Sequence, residues 1–205
     1  FRGRAISFEP AFPGSVASRP IGRKGGKRNF FFYSRPNQER NLFWRGAAAL
    51  AEAVDRRVLD PDEWDFYWVG RGTPALKLPG GIQPNRIEGL SWSEYQSLVS
   101  DMDAALVLMD TPHPSYPPLD LASAGVAVLT NRHLNKHDLS NYSKNIVMCE
   151  LSQHDLLAGI GEVVKLAKNE ALRAENLKSD GICRSWAESL RPSILRLCEH
   201  FGSRG

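Results

Sequence analysis

Short apolar runs alternate along the chain with longer segments whose apolar residues recur at the helical spacing of about 3.6. The short runs are typical of strands buried on both faces, and we predict them at residues 30–33, 65–69, 85–90, 104–109, 126–129 and 145–149. The periodic segments predict helices at residues 39–58, 91–101, 119–124, 152–168 and 170–201, the last with a break near Gly181. This alternation predicts an α/β fold, namely a Rossmann-like, doubly wound parallel sheet with helices on both faces and further C-terminal helices.

Composition suggests where the domain begins. Residues 1–28 contain many glycine, proline and basic residues and show little periodicity, so we assign them to a lead-in or linker and residues 29–205 to the domain. The basic residues of this segment are interleaved with glycines, as in a solvated linker; they are Arg23, Lys24, Lys27 and Arg28. With a formal net charge of only +3, the chain gives no indication of nucleic-acid binding.

Cysteine usage and hydropathy bear on the compartment. The three cysteines have no Cys-x-x-Cys spacing, which favours free thiols in a reducing environment. No apolar run is long enough for a membrane span. We therefore expect a cytoplasmic protein, with peripheral contact to the inner membrane face left open. Because the chain starts at Phe1 rather than at Met, we also expect a fragment that lacks an upstream segment.

The most informative stretch, residues 106–131, combines a buried strand, a proline-rich loop, a short helix and a second buried strand. Four prolines within residues 111–118 make the loop stiff, so the helix is predicted to begin at Leu119 with Asp120 in its first turn. A helix that begins just beyond the carboxyl end of a parallel strand is a common phosphate-binding position. Asp120 could accept hydrogen bonds from ribose hydroxyls; the alternative is that it only complements the helix dipole.

Two arginines follow the first predicted strand, where the chain turns into a helix. Arg35 and Arg40 are five positions apart, and both could reach a diphosphate that lies over the carboxyl end of the sheet. A guanidinium suits this role because its planar fork holds two oxygens at once. The alternative is that Arg40 is a solvent-facing residue of the first helical turn.

The sequence gives little indication of a metal site or of nucleophilic catalysis. His133 and His137 have a spacing that occurs in metal sites, but they lie in a predicted loop with no further histidine or cysteine nearby. Surface histidines are the favoured interpretation, and we expect no metal. The chain has no Walker phosphate loop, no G-x-G-x-x-G motif and no nucleophile elbow.

Four strings carry a resemblance to a known family: FEPAF at residues 8–12, FYSRPNQERNLF at 32–43, HPSYPPLDLASAG at 113–125 and NKHDLSNYSKNIV at 135–147. In them the chain resembles the nucleotide-binding C-terminal half of GT-B glycosyltransferases of family four. Within that family it is most similar to bacterial rhamnosyltransferases that build rhamnan-type surface glycans. The likeness covers most of residues 8–168 in order and spacing.

The resemblance implies roles for individual residues. The family's basic pair, which binds the diphosphate of the donor, falls on Arg35 and Arg40. The ribose-binding glutamate aligns with Asp120, which is one methylene shorter, whereas the sugar-contacting glutamate falls on Pro112. Catalytic residues are not identified. Ser115, Tyr116 and the nearby loop amides are expected to contact the phosphates, and His113 is expected to contact the sugar. The base is expected to lie against Ile87, Gly89, Leu90 and Tyr95.

The same resemblance implies a reaction and its partners. We expect a sugar, in the favoured case L-rhamnose from dTDP-L-rhamnose, to pass from a nucleoside diphosphate sugar to a saccharide acceptor in surface-polysaccharide synthesis. Such enzymes retain the anomeric configuration, and positive side chains and helix dipoles stabilise the leaving diphosphate, so we expect neither metal nor cofactor. The N-terminal acceptor domain is expected to be missing, and the isolated chain to be inactive.

Two other function classes stay open. A non-catalytic nucleotide- or sugar-binding module with a degenerate glycosyltransferase fold is supported by Asp120 and by the absent glutamate at Pro112. A flavodoxin-like or receiver-like module fits the alternation of strands and helices. It is disfavoured because Arg35 and Pro36 occupy the position where a receiver needs acidic residues.

Overall fold

The fold is built on one parallel sheet. A computed structural model describes residues 8–13 and 26–202, and its six strands lie in the order β3-β2-β1-β4-β5-β6 with every neighbouring pair parallel. The strands are β1 Arg28–Ser34, β2 Trp64–Gly70, β3 Asn85–Glu88, β4 Ala104–Val107, β5 Ala127–Asn131 and β6 Ile146–Cys149. The chain first winds outward from β1 to β3, then returns to β4 and winds the other way. The predicted doubly wound, Rossmann-like sheet is confirmed.

Six α-helices occur in the part of the chain that the structure describes. They are α1 Phe43–Asp55, α2 Trp92–Ser100, α3 Tyr116–Ser123, α4 Gln153–Lys168, α5 Glu170–Lys178 and α6 Trp186–Gly202. Side chains of α1 and α4 form a core on one face of the sheet, and side chains of α2 and α3 form a core on the other. None of the helices in residues 8–13 and 26–202 has the length and apolar character needed to cross a membrane.

The central strand β1 is buried on both faces. Its side chains alternate, so Phe30 and Phe32 enter the core of α1 and α4 while Phe31 enters the core of α2 and α3. All three rings are at most 1% exposed. Burial of each such ring contributes on the order of 1.5–3 kcal/mol, so a strand of this composition is stable only in the middle of the sheet.

The predicted start of the first helix is wrong. Residues Glu39–Asn41 form a short 3-10 turn, Leu42 has a φ of 50°, and α1 begins only at Phe43. The pattern of apolar residues in the sequence does not distinguish such a turn from the first turn of the helix that follows it. The residues between β1 and α1 are therefore a turn rather than a first helical turn.

The predicted start of the helix after the proline-rich loop is also wrong. The helix α3 begins at Tyr116, and Pro117 and Pro118 lie in its first turn. Proline is tolerated there because the first residues of a helix have no intrahelical use for their N–H groups. Asp120 consequently lies in the second turn, not in the first.

The C-terminal helical region is interrupted as expected. The predicted helix over residues 170–201 consists of α5 and α6, and the predicted break at Gly181 lies between them. The helix predicted over residues 91–101 follows Ser91, which forms a capping box with Glu94. In the helix predicted over residues 152–168, Ser152 accepts a hydrogen bond from the Asp155 N–H at the start of α4. Both predicted helices are confirmed.

Residues 8–13 pack against the surface of the domain. Phe12 is 3% exposed, and its N–H donates to the Cys183 carbonyl oxygen at 2.8 Å. The Tyr142 hydroxyl donates to the Glu9 carboxylate at 2.7 Å. The division into a lead-in of residues 1–28 and a domain of residues 29–205 stays a prediction, and Arg23 and Lys24 of the basic cluster lie outside the described residues.

A buried ion pair ties α5 to the amino ends of the strands. Arg173 lies 3.3 Å from Asp103, and the two side chains are 4% and 12% exposed. Arg173 Nε also donates to the Gly125 carbonyl oxygen at 2.8 Å, and Asp103 accepts a hydrogen bond from the Asn29 N–H at 2.9 Å. Because these groups are shielded from water, removal of one partner leaves the other charge uncompensated.

Replacing Arg173 with alanine should therefore lower the free energy of unfolding by about 3–5 kcal/mol. Urea titration followed by circular dichroism measures the change. Arg191→Ala, at an exposed arginine of α6, is the matched control and should change stability by less than about 0.5 kcal/mol. Equal stability of the two variants would mean that the ion pair does not hold α5 in place.

Candidate functional site

The backbones at the carboxyl ends of β1 and β2 are in close contact. A Cβ atom at Gly70 would lie 1.7 Å from the Ser34 carbonyl oxygen, so this position requires glycine. The Arg71 N–H donates to the same oxygen at 3.0 Å. The contact places Arg35 and Arg71, which directly follow the two strands, at the same part of the sheet edge.

Hydrogen bonds through Thr73 connect the carboxyl end of β1 to that of β3. The Ser34 and Thr73 hydroxyl oxygens are 2.8 Å apart, and the Thr73 N–H donates to the Glu88 carboxylate at 2.7 Å. The bond from Thr73, together with one from the Gly72 backbone, holds the pKa of Glu88 below its ordinary value. The carboxylate of Glu88 is therefore anionic at neutral pH.

A first cavity of about 380 Å³ lies at these strand ends. It contains four predicted base contacts, Ile87, Gly89, Leu90 and Tyr95, and one predicted diphosphate contact, Arg35. The full lining is Tyr33, Arg35, Val69, Gly70, Arg71, Ile87, Glu88, Gly89, Leu90, Ser91, Trp92 and Tyr95. The structure thus brings together two groups of residues that were predicted separately.

The first turn of α2 forms one wall of the first cavity. The Ser91 hydroxyl accepts a hydrogen bond from the Glu94 N–H, and the Glu94 carboxylate accepts one from the Ser91 N–H at 2.8 Å. This reciprocal capping fixes the backbone that carries Trp92 and Tyr95. Their ring centroids are 5.7 Å apart.

Tyr95 connects α2 to α3. Its hydroxyl donates to the Asp120 carboxylate across 3.5 Å, at the long limit for a hydrogen bond. Burial raises the pKa of Asp120 to about 6, and the bond from Tyr95 offsets this only in part. Burial also raises the pKa of Tyr95 well above its ordinary value, so the phenol remains a neutral donor. A carboxyl group poised near neutral pH is typical of functional sites.

A second cavity, of about 320 Å³, shares Trp92 with the first. Its walls are mostly aromatic, with one carboxylate, and are formed by Ala11, Phe12, Pro13, Trp92, Tyr116, Asp120 and Trp186. The predicted phosphate contact Tyr116 and the predicted ribose contact Asp120 therefore lie in a different cavity from Arg35. Trp92 and the contact between Tyr95 and Asp120 form the junction between these two neighbouring cavities, which together make up the cleft.

The start of α3 offers fewer backbone phosphate donors than expected. Pro117 and Pro118 have no N–H, and the Ser115 N–H donates to His113 Nδ1 at 2.9 Å. At most the Tyr116 N–H of this stretch can face a phosphate. Ser115 is buried and has a φ of 73°, which is a strained conformation for serine. His113 is exposed, and its ring centroid lies 6.1 Å from that of Tyr116.

Arg40 does not line the first cavity with Arg35. Its side chain is exposed and is not among the residues that line either cavity. Its carbonyl oxygen accepts a hydrogen bond from the Asp110 N–H at 2.7 Å, which anchors the turn to the segment after β4. Arg71, rather than Arg40, shares the first cavity with Arg35.

The histidines considered for a metal site make local contacts. His133 Nδ1 lies 2.8 Å from Asp110 Oδ1, and the His137 carbonyl oxygen accepts a hydrogen bond from Arg132 Nε at 3.2 Å. Within residues 8–13 and 26–202, no group of three or more His, Cys, Asp or Glu side chains could hold a metal ion. The absence of a metal in function stays an expectation.

Several lining residues were not predicted from the sequence. Arg71 stands in a Gly-Arg-Gly string after β2, a signal of close backbone approach that could have identified it. Trp92 follows the helix cap Ser91. The cap indicates that Trp92 is the first residue of the helix, but it does not indicate that the side chain is exposed. Phe12 and Trp186 come from distant segments and carry no local signal of a site.

Comparison with known proteins identifies the family. The family described as WsaF, C-terminal domain, matches residues 28–161, more than half of the chain. The O-antigen biosynthesis protein RfbC of Myxococcus xanthus is 33% identical over 175 residues, which cover 82% of this chain. The chain spans only 13% of the length of that relative.

Solved structures support the fold. A protein described as a UDP-N-acetylglucosamine 2-epimerase from Listeria monocytogenes matches 86% of this chain and 46% of its own length, with a TM-score of 0.59 and 15% identity. The sucrose-phosphate synthase of Thermosynechococcus elongatus matches 95% of this chain and 50% of its own length, with a TM-score of 0.56 and 12% identity. The chain therefore belongs to the family of the WsaF C-terminal domain.

Proposed function

We propose that this chain is the donor-binding domain of a glycosyltransferase of surface-polysaccharide synthesis, and that its cleft binds a nucleoside diphosphate sugar. The observation that carries the proposal is that two cavities lie next to each other and share Trp92, with the cation of Arg35 in the lining of one and the carboxylate of Asp120 in the lining of the other. Membership of the WsaF C-terminal domain family and the similarity to an O-antigen biosynthesis protein support it.

In this proposal the diphosphate binds to Arg35 and Arg71. Two guanidiniums in one cavity can hold several phosphate oxygens and stabilise the negative charge that develops as the sugar leaves. The anionic Glu88 lines the same cavity and repels phosphate, which restricts the diphosphate to the arginine side. Arg40 remains a proposed additional contact that would reach the diphosphate from its exposed turn.

The nucleoside is assigned to the junction of the cavities. Asp120 is the proposed ribose contact, because an ionised carboxylate accepts hydrogen bonds from hydroxyl groups. The apolar wall that includes Ile87 and Leu90, together with Gly89 and Tyr95, is the proposed base contact. The exposed His113, near Tyr116 and ahead of α3, is the proposed sugar contact.

The finer proposal concerns the reaction. We propose L-rhamnose from dTDP-L-rhamnose as the transferred sugar, with retention of configuration, without a metal, and with a saccharide as acceptor. Its support is the likeness to family-four rhamnosyltransferases in the string HPSYPPLDLASAG, preceded by Pro112. A separate N-terminal acceptor domain completes the enzyme in this account. Since catalysis needs both substrates to be positioned, the isolated chain should bind donor but transfer sugar poorly.

A non-catalytic nucleotide- or sugar-binding module is the second candidate function. The shorter acid at Asp120, the proline at Pro112 and the position of Arg40 outside both cavities favour it. Co-expression of the chain with the proposed N-terminal acceptor domain distinguishes the two candidates. Transfer of sugar to a saccharide acceptor by that complex would exclude the non-catalytic module.

Isothermal titration of the purified chain with dTDP, UDP, GDP and ADP in the presence of EDTA tests the proposed function. We expect saturable binding without metal and a preference for one base. The preferred base names the nucleotide of the donor. Absence of binding to all four nucleotides would contradict the assignment of the cleft as a donor site.

Arg35→Ala should weaken binding of the preferred nucleotide by about tenfold or more, because hydrogen bonds between charged groups contribute about 1.5–3 kcal/mol. Calorimetry measures the affinity, and circular dichroism checks that the variant is folded. Arg196→Ala, at an exposed arginine of α6, is the matched control and should bind as the parent does. If both variants bind equally, the diphosphate does not contact Arg35.

Nucleotide binding should also weaken at acidic pH. Burial raises the pKa of Asp120 to about 6, so below that pH the carboxylate is progressively protonated and affinity should fall by up to about tenfold per pH unit. A nucleotide sugar is the suitable probe because its diphosphate diester does not titrate in this range. Asp120→Asn should bind more weakly and show no such pH dependence. A flat profile for the parent would contradict the ribose assignment.

The same pKa determines the sign of a stability effect in the absence of ligand. Because the folded-state pKa of Asp120 is raised from 3.8 to about 6, the fold favours the neutral carboxyl. The contribution of the neutral Asp120 carboxyl to the free energy of unfolding is fully present below about pH 4 and is lost as the pH rises through 6. Asp120→Asn should therefore melt at a higher temperature than the parent near pH 8 and at a similar one near pH 4. If the parent melts at a higher temperature than Asp120→Asn near pH 8, the ionised carboxylate is stabilised in the folded state and this prediction is wrong.

A further inference from the structure

Trp92 is an exposed tryptophan at the junction of the two cavities. It is the first residue of α2, it is 56% exposed, and it lines both the first and the second cavity. By contrast, Trp64 and Trp68 of β2 are 1% exposed and belong to the core. An indole that is left half in water at a cleft has a large apolar face available for a ligand.

The ring of Trp92 is supported without being covered. The capping box between Ser91 and Glu94 fixes its backbone, and the Tyr95 ring lies 5.7 Å away at an interplanar angle of 33°. Tyr95 is itself bonded to Asp120 on α3. A side chain supported in this way loses little conformational freedom when a ligand binds, so more of the contact energy appears as affinity.

The charges around Trp92 indicate which part of a ligand it meets. Arg35 and Arg71 line the first cavity, whereas Asp120 is the charged residue in the lining of the second. A diphosphate is attracted to the arginines and repelled by Asp120, which leaves the indole face to an uncharged, planar group. If the cleft binds a nucleoside diphosphate sugar, as proposed above, that planar group is the base.

We propose that Trp92 stacks on the nucleobase of the donor and supplies most of the affinity for that part of the nucleotide. Every base has a π face, so stacking tolerates all of them. Trp92 therefore sets how tightly nucleotides bind, while the preference for one base comes from other groups in the first cavity.

Calorimetric titration of Trp92→Ala tests this role. Affinity for dTDP and UDP should fall by about tenfold or more, with their order of preference unchanged, since stacking on an aromatic side chain contributes about 1–3 kcal/mol per base. Trp92→Phe should retain much of the affinity. Trp44→Ala is the matched control, because Trp44 is 63% exposed and is not among the residues that line either cavity.

Two further measurements distinguish stacking from a structural role. Inorganic pyrophosphate, which has no base, should bind the parent and Trp92→Ala equally well. Binding of dTDP should quench tryptophan fluorescence in the parent and in Trp44→Phe, and Trp92→Phe should lose most of that quenching. Equal losses for pyrophosphate and dTDP would overturn the stacking role.

The outcomes separate this inference from the proposed function. If the parent binds dTDP and Trp92→Ala binds it as tightly, the stacking role is wrong and the donor site stands. If the parent binds none of the nucleotides, the donor site itself is wrong, and the stacking role with it.

Discussion

Burial of both faces of β1 is the constraint on which the rest of the structure depends. Phe30 and Phe32 need one apolar layer and Phe31 needs another, so helices must cover the sheet on both sides. Helical crossovers connect β1 to β2, β3 to β4 and β4 to β5 in parallel, and parallel strands all end at one edge. The cleft occupies that edge, because the residues that follow β1, β2 and β3 emerge there side by side.

The polar groups of the cleft differ in how well they are satisfied. Glu88 lines the first cavity, and its carboxylate accepts a hydrogen bond from the Thr73 N–H, while the Thr73 and Ser34 hydroxyls are hydrogen-bonded behind it, so this part of the cleft is rigid. Among residues 8–13 and 26–202, the Asp120 carboxylate accepts only the long bond from Tyr95, and burial raises its pKa to about 6. A ligand hydroxyl would supply the hydrogen bond that this carboxylate lacks. The rigid part of the cleft thus has a fixed shape for ligand groups. The Asp120 carboxylate, which is the less satisfied group, gains more from a bound hydroxyl.

The fold could be predicted from the sequence because its signals are local. The aromatic strand at Phe30–Phe32, the start of a helix at Ser91 and the helix break at Gly181 are each indicated by a few neighbouring residues. Helix starts were missed where local rules conflict: Pro117 and Pro118 indicate a loop by composition but are tolerated in a first helical turn. The order of the strands follows from general rules of connection rather than from any single residue.

The site was only partly predictable for a different reason. The spacing of Arg35 and Arg40 indicated a diphosphate site and the family resemblance implied a base contact at Ile87, but neither indicated that Arg71 rather than Arg40 shares the first cavity with Arg35. That exchange depends on the close contact of Gly70 with Ser34, a tertiary feature. The second cavity joins α3 to Phe12 and Trp186, which are far apart in the chain, so only the folded structure reveals it.

The most direct test of the central claim is a map of amide and indole chemical-shift changes on addition of dTDP to the isotope-labelled chain, which at 22.8 kDa is suitable for such spectra. The account predicts that the largest changes cluster at the backbone amides of Arg71 and Gly89, the indole of Trp92 and the amide of Asp120. Changes confined to α5 and α6, or scattered over the surface without saturation, would contradict a donor site at the carboxyl edge of the sheet.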